Sequence, residues 1–161
     1  MKKFIRVLFR IVEAFSVIGA VALNICLNKK HKRDIETEKD FGKKMASYYH
    51  LLNKWLKFKQ QGHSIEDYFH KNSIYSIAIY GYKELGERLY DDLRETDIEV
   101  KCIIDKNVGH VDAEVDVYGP DEKLPKVDAI VITATYYYDE IEDELYEMVD
   151  CPIISLEDLF V

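Results

Sequence analysis

Complete catalytic signatures are missing from this sequence of 161 residues. It contains no Y-x-x-x-K pair, no G-x-S-x-G, no H-E-x-x-H and no G-x-x-x-x-G-K-[ST]. Those gaps exclude the usual short-chain dehydrogenase, serine hydrolase, zinc protease and P-loop chemistries. The histidines His31, His50, His63, His70 and His110 are scattered, and none falls beside a plausible nucleophile. Cysteine is also scarce. Cys26, Cys102 and Cys151 have no metal-ligand spacing and cannot all be paired, so a disulfide scaffold is excluded. Cys102 and Cys151 lie in apolar strand-like runs and read as buried reduced thiols, which favours a cytoplasmic location. Positive charge is short as well: Lys and Arg number 22 against 30 acidic residues, for a net −8. Duplex nucleic acid is not an expected partner for such a body, because phosphate contacts need clustered Lys and Arg.

What basic charge there is lies at the start. Residues 1–33 hold eight basic residues against Glu13, a net +7, which leaves −15 on the remainder. A basic arm on an acidic body is expected to meet something anionic, such as the inner face of the cell membrane or an acidic partner surface. Phe4, Leu8, Ile11, Phe15, Ile18, Ala22 and Ile25 alternate at spacings of four and three, an apolar seam along one helix face. The run Ile11 to Leu27 has 17 residues and one charge. It is short for a membrane span and contains Glu13 and Asn24. As a signal peptide it lacks a small-residue cleavage site, and the basic LNKKHKR follows it. A helix lying on a lipid surface, or pairing with further copies as a homo-oligomer, is the remaining reading.

Residues 34–72 read as a helical lead-in, with a helix over about 36–60. Phe41, Met45, Tyr48, Leu52 and Trp55 form its stripe, widened by Tyr49 and Leu56. Packing of Tyr48 and Trp55 against the next domain is preferred to any ligand role. Gln61-Gly62 ends this helix, and Ser64-Ile65-Glu66-Asp67 opens a short one through Tyr68 and Phe69. The twelve tyrosines suit core edges, where the ring is buried and the hydroxyl stays wet.

From residue 73 onward the pattern alternates. Strands are expected at 73–80, 100–104, 115–118, 127–133 and 152–155, with helices at 84–93 and 140–148. Continuous apolar strands separated by helices predict a mainly parallel, five-stranded, doubly wound α/β sheet over 73–161.

The first strand-to-helix passage, SIAIYGYKELGERLYDDL, resembles a phosphate-binding turn. Gly81 and Gly86 occupy the first and third places of G-x-G-x-x-G, and Lys83 occupies the second. A lysine at a helix N-terminus opposes the dipole, a cost offset if an anion lies between its ammonium and the free amides. Asp105 stands 19 residues after Gly86, at the end of the second strand, where an acid would bond ribose hydroxyls, with Lys106 beside it. Thr133, Thr135 and Tyr136 follow the fourth strand at the expected switch point, placed for phosphate and for stacking. Plain structural roles stand beside these. The glycines serve strand-turn-helix packing, Asp105 caps a turn, Thr135 caps the next helix and the tyrosines shield the sheet edge.

With EVKCIIDKN, VDAIVITATYYYDEIEDEL and CPIISLEDL added, residues 51–160 resemble the Rossmann-like domains of bacterial cell-surface polysaccharide biosynthesis. Such domains precede sugar-nucleotide dehydratases, epimerases and sugar acyltransferases. LLNKWLKFKQQGHSIEDYF resembles their helical preface. Gly81, Glu84, Leu85 and Gly86 match the relatives' GAGEIG or GMGELG turn, and Tyr82-Lys83 departs from it. The resemblance implies a non-catalytic or accessory module that binds NAD(P) or a nucleotide-sugar. A ligand-free oligomeric scaffold, or a subunit of an NAD(P)-dependent dehydratase or epimerase, are the alternatives. The chain ends after the fifth strand, so a substrate domain and catalysis by this chain alone are not expected.

Overall fold

A computed structural model describes the backbone of residues 2–160 and the side chains of residues 24–160. The chain forms two compact units, Met1–Ala46 and Ser47–Val161. Helix α1 runs Lys2–Gln60 without a break, where the sequence predicts separate helices before and after residue 34. The reason is the absence of a stop signal. No proline occurs before Pro120, and Gly19 and Gly42 are single, weak interruptions. The helix ends where expected: Gly62 takes φ +80 and its amide bonds the Lys59 carbonyl.

In the first unit the described side chains, residues 24–46, are exposed except for the half-buried Lys44. The seam from Phe4 to Ala22 and most of the 11–27 run lie outside the described side chains. Among the described residues, no helix is long and apolar enough to cross a membrane.

The second unit holds the sheet. Helix α2 spans Ile65–Lys71, and the Ser64 hydroxyl caps it by accepting the Glu66 amide at 3.3 Å. There follow β1 (Ser76–Tyr80), α3 (Glu84–Leu93), β2 (Glu99–Ile104), β3 (Val117–Tyr118), β4 (Ala129–Ile132), α4 (Tyr138–Tyr146) and β5 (Ile153–Ser155). All pairings are parallel, in the order β3-β2-β1-β4-β5.

Alternation along the central strands builds two apolar layers. Ile77, Ile79, Ile103 and Val131 face α3, whose Leu85, Leu89 and Leu93 recur at four-residue spacing and are buried. The same layer receives Leu51 and Trp55 from α1, Ile65 and Phe69 from α2, and Phe160. Ala78, Tyr80, Cys102, Ile104, Ile130 and Ile132 face α4 through Ile141 and Leu145. Every residue of β1 and β4 is buried, as strands covered on both faces require.

The end of α1 departs from the predicted stripe. Leu51 and Trp55 turn inward, while Leu52 and Leu56 are exposed. Trp55 sets this rotation: its ring lies 5.1 Å from that of Phe160, and its Nε1 donates to Asp92 Oδ2 at 3.0 Å. Cys102 is buried and its thiol is pushed up to about 11 by that burial. Cys151 is half-buried and Cys26 exposed, and all three are free.

Candidate functional site

Strand order reverses at β1, which has β2 on one side and β4 on the other. The chain leaves β1 over one face through α3 and leaves β4 over the opposite face through α4. Loops therefore part at the carboxyl ends of β1 and β4, the crevice in which ligands of open α/β sheets bind.

Gly81 makes the turn out of β1 with φ +87, a conformation that L side chains rarely adopt. A Cβ there would also lie 3.1 Å from Thr133 Oγ1. Gly86 brings α3 onto that turn: a Cβ on it would sit 2.2 Å from the Gly81 carbonyl oxygen. Both glycine positions thus do what the first and third glycines of the phosphate turn do. Lys83, at the N-cap of α3, has φ −105 and ψ −159, an extended backbone that needs no glycine. Its side chain is exposed and has no ion-pair partner among the described residues, and no side chain caps the first turn of α3. Leu85 points into the core and Glu84 outward, so these two offer backbone amides rather than side chains to the turn.

The other predicted site residues are nearby, but several are already engaged within the protein. Asp105 is buried, and its two oxygens accept the Tyr82 amide at 3.0 Å and the Asn107 amide at 2.8 Å. Its carboxylate thereby ties the end of β2 to the turn after β1. Thr133 is buried, with its hydroxyl aimed at the carbonyls of Gly81 (2.7 Å) and Tyr80 (3.1 Å). One proton cannot also serve a phosphate, so Thr133 positions the turn. Lys106 Nζ pairs with Glu144 Oε2 of α4 at 3.0 Å. The half-buried Tyr82 ring packs into the α3-side layer, edge-on to Tyr90 at 6.1 Å.

Thr135 opens a 3-10 turn, Thr135–Tyr137, in which Ala134 rather than Thr135 is the N-cap. The Thr135 hydroxyl is buried without a hydrogen-bond partner. Tyr136 stacks edge-on against Tyr137 at 5.2 Å.

Two further residues lie at this end of the sheet, Tyr80, which sequence reasoning missed, and Tyr48, which it expected to pack against this domain. Tyr80, the last residue of β1, is only 3% exposed, and its hydroxyl also lacks a partner. Burial raises its pKa, opposed by the Lys106 ammonium. An apolar strand run gives no sign that its last ring ends in an orphan hydroxyl. Tyr48 comes from α1. Its pKa is raised first by burial, then by Tyr137 and Glu84, so α1 reaches the same mouth as the turn after β4 and the start of α3. A cleft of about 480 Å³ lined by Tyr68, Ser73, Asp128, Cys151 and Pro152 lies at the opposite, amino end of β1 and β4. It adjoins none of the residues of the Gly81–Gly86 turn. The arrangement at the crevice offers the amides of an uncapped helix N-terminus and the exposed Lys83 ammonium, groups that favour an anion.

Residues 73–152 match a family model described as "C2185-like, N-terminal". No curated protein and no solved structure matches the chain.

Proposed function

We propose that residues 73–161 form an accessory module that seats the phosphates of a nucleotide or nucleotide-sugar at the Gly81–Gly86 turn, in bacterial surface-polysaccharide biosynthesis. One observation carries the reading. Two glycines hold the N-terminus of α3 against the end of β1, and that uncapped terminus stands beside the unpartnered Lys83. Amides at a helix N-terminus and an adjacent ammonium together favour negative charge. Asp105 keeps free lone pairs for a ribose, but two of its acceptor positions are filled, so the diphosphate dominates recognition.

The test is thermal melting and titration calorimetry with UDP, UDP-sugars, NAD and NADP on wild type and Lys83→Ala. A ligand at 100 times its Kd stabilises the folded state by about 2.7 kcal/mol, a rise of several degrees. Loss of the ammonium should weaken binding about tenfold, the factor that corresponds to ~1.4 kcal/mol. No shift with any ligand at millimolar concentration, or equal affinity in Lys83→Ala, overturns the proposal.

A second reading, an oligomeric scaffold without a small-molecule ligand, draws on the apolar residues that α1 leaves exposed, Ile25 and Leu27 among them. Mass measurement with and without residues 1–33 separates the two: the scaffold loses assembly, and the binding module keeps its ligand.

A further inference from the structure

At the amino end of the sheet, about 17 Å along β2 from the phosphate turn, three side chains from two separate segments converge. Glu66 and His70 are four residues apart on α2 and share a face one helical turn apart. Asp97 precedes β2. His70 Nε2 lies 2.6 Å from Asp97 Oδ1 and 3.9 Å from Glu66 Oε1, and one ligand atom from each residue lies within 4.8 Å of the others. It is the one such group among the described residues.

We propose that Glu66, His70 and Asp97 bind a divalent transition-metal ion, with Zn2+ as the reference probe. Bonds of about 2.0–2.2 Å at tetrahedral angles place neighbouring ligand atoms about 3.4 Å apart. The two distances from Nε2, 2.6 and 3.9 Å, straddle that value. Both carboxylate side chains reach solvent, so they can adjust toward that spacing. Their backbones are anchored. Each ligand residue adjoins a core residue: Ile65 (4% exposed) before Glu66, Phe69 (0%) before His70 and Ile98 (3%) after Asp97. The His70 ring is also flanked by Tyr75, at 5.9 Å between centroids.

Two carboxylates and a neutral imidazole carry −2, which a divalent ion cancels. Asp67 adds negative charge near by, and the charges acting on His70 are all acidic. An imidazole among the ligands favours zinc-like ions over magnesium, which prefers an all-oxygen octahedron. Three protein ligands leave a fourth position for water or for a donor from a partner. In the absence of a metal, a proton on His70 occupies the same place, so metal binding must displace it.

The experiment is titration calorimetry of the full-length, tag-free chain with ZnCl2, above the titration range of His70. Wild type, His70→Gln, Asp97→Asn and Glu66→Gln are compared, with circular dichroism to confirm that each variant is folded. One site per chain is expected, weakened at least about tenfold in each variant, since loss of even an outer-shell partner costs 10–100-fold. Substituted Co2+ should give a visible spectrum without a thiolate charge-transfer band. Absence of binding, equal affinity in His70→Gln and Asp97→Asn, or a thiolate band that places the metal on cysteine, would overturn the proposal.

Discussion

Gly86→Ala tests the geometry of the Gly81–Gly86 turn. The added Cβ would lie 2.2 Å from the Gly81 carbonyl oxygen and 3.2 Å from its carbon, against the 3.4 Å at which ordinary contact begins. Both atoms are backbone, so no side chain can swing aside. Either α3 lifts from the turn or the turn itself opens. Overpacking of this kind costs about 1–3 kcal/mol, and more than 1 Å of overlap places it at the upper end. Replacing glycine within a helix returns at most about 1 kcal/mol. The net loss is then about 2 kcal/mol, which lowers Tm by about 4–8 °C in a chain of this size. Thermal and urea unfolding followed by circular dichroism read it. Gly42→Ala is the control: it sits in an exposed stretch of α1 with nothing within 4 Å of the new Cβ, and it should leave Tm unchanged or raise helicity. If Gly86→Ala melts with wild type, α3 does not rest on the turn as described, and the assignment of Gly86 as the close-packing glycine fails.

Three further outcomes follow from the same structure. Trp55→Ala removes a side chain that is 5% exposed, its contact with Phe160 and its bond to Asp92, so stability should fall by about 3–5 kcal/mol in urea titration. A loss below about 1 kcal/mol would mean that the end of α1 is not part of the core. Asp105→Asn keeps one carbonyl acceptor for two amides and places an NH2 against the other, for a cost of about 1–3 kcal/mol. The stabilisation that added nucleotide confers should be as large in this variant as in wild type, and its disappearance would show that Asp105 belongs to the ligand rather than to the turn alone. The His70 pKa is raised, first by its hydrogen bond to Asp97, with Glu66 and Asp67 assisting and partial burial opposing. Its folded value therefore lies above its unfolded one. The stabilisation is fully present below the ordinary imidazole value near 6.5 and is lost as pH rises through the raised folded value. Asp97→Asn should flatten that segment of the stability–pH curve, and an unchanged slope would remove His70 as its source.

Much of the architecture is legible in local pattern. Helix α3 begins and ends at Glu84 and Leu93 as its leucine spacing and the preceding turn predict, and Ser64 caps α2 as its capping signature predicts. β1 and β4 are shorter than the apolar runs that mark them, because Tyr75 and Asp128 contribute bonds at the rim before pairing begins. The joining of two predicted helices into α1 was legible only as a missing stop signal.

The site residues separate differently. Gly81 and Gly86 are readable because their demands are those of one short turn: φ +87 at one and a close approach five residues later at the other. Asp105, Thr133 and Lys106 were placed correctly along the chain, but what they bond is set by neighbours far away in sequence. Tyr82 lies 23 residues from Asp105, Gly81 52 from Thr133 and Glu144 38 from Lys106. The tertiary structure alone aims those side chains at the protein's own backbone and at α4, turns Leu51 inward in place of Leu52 and Leu56 beside the expected Trp55, and brings Asp97 to His70. The sequence determined the strand and helix periods and the glycine turn, because these obey interactions within a few residues. Side-chain direction at the sheet's two ends depends on which strands lie side by side, a property that no local stretch contains.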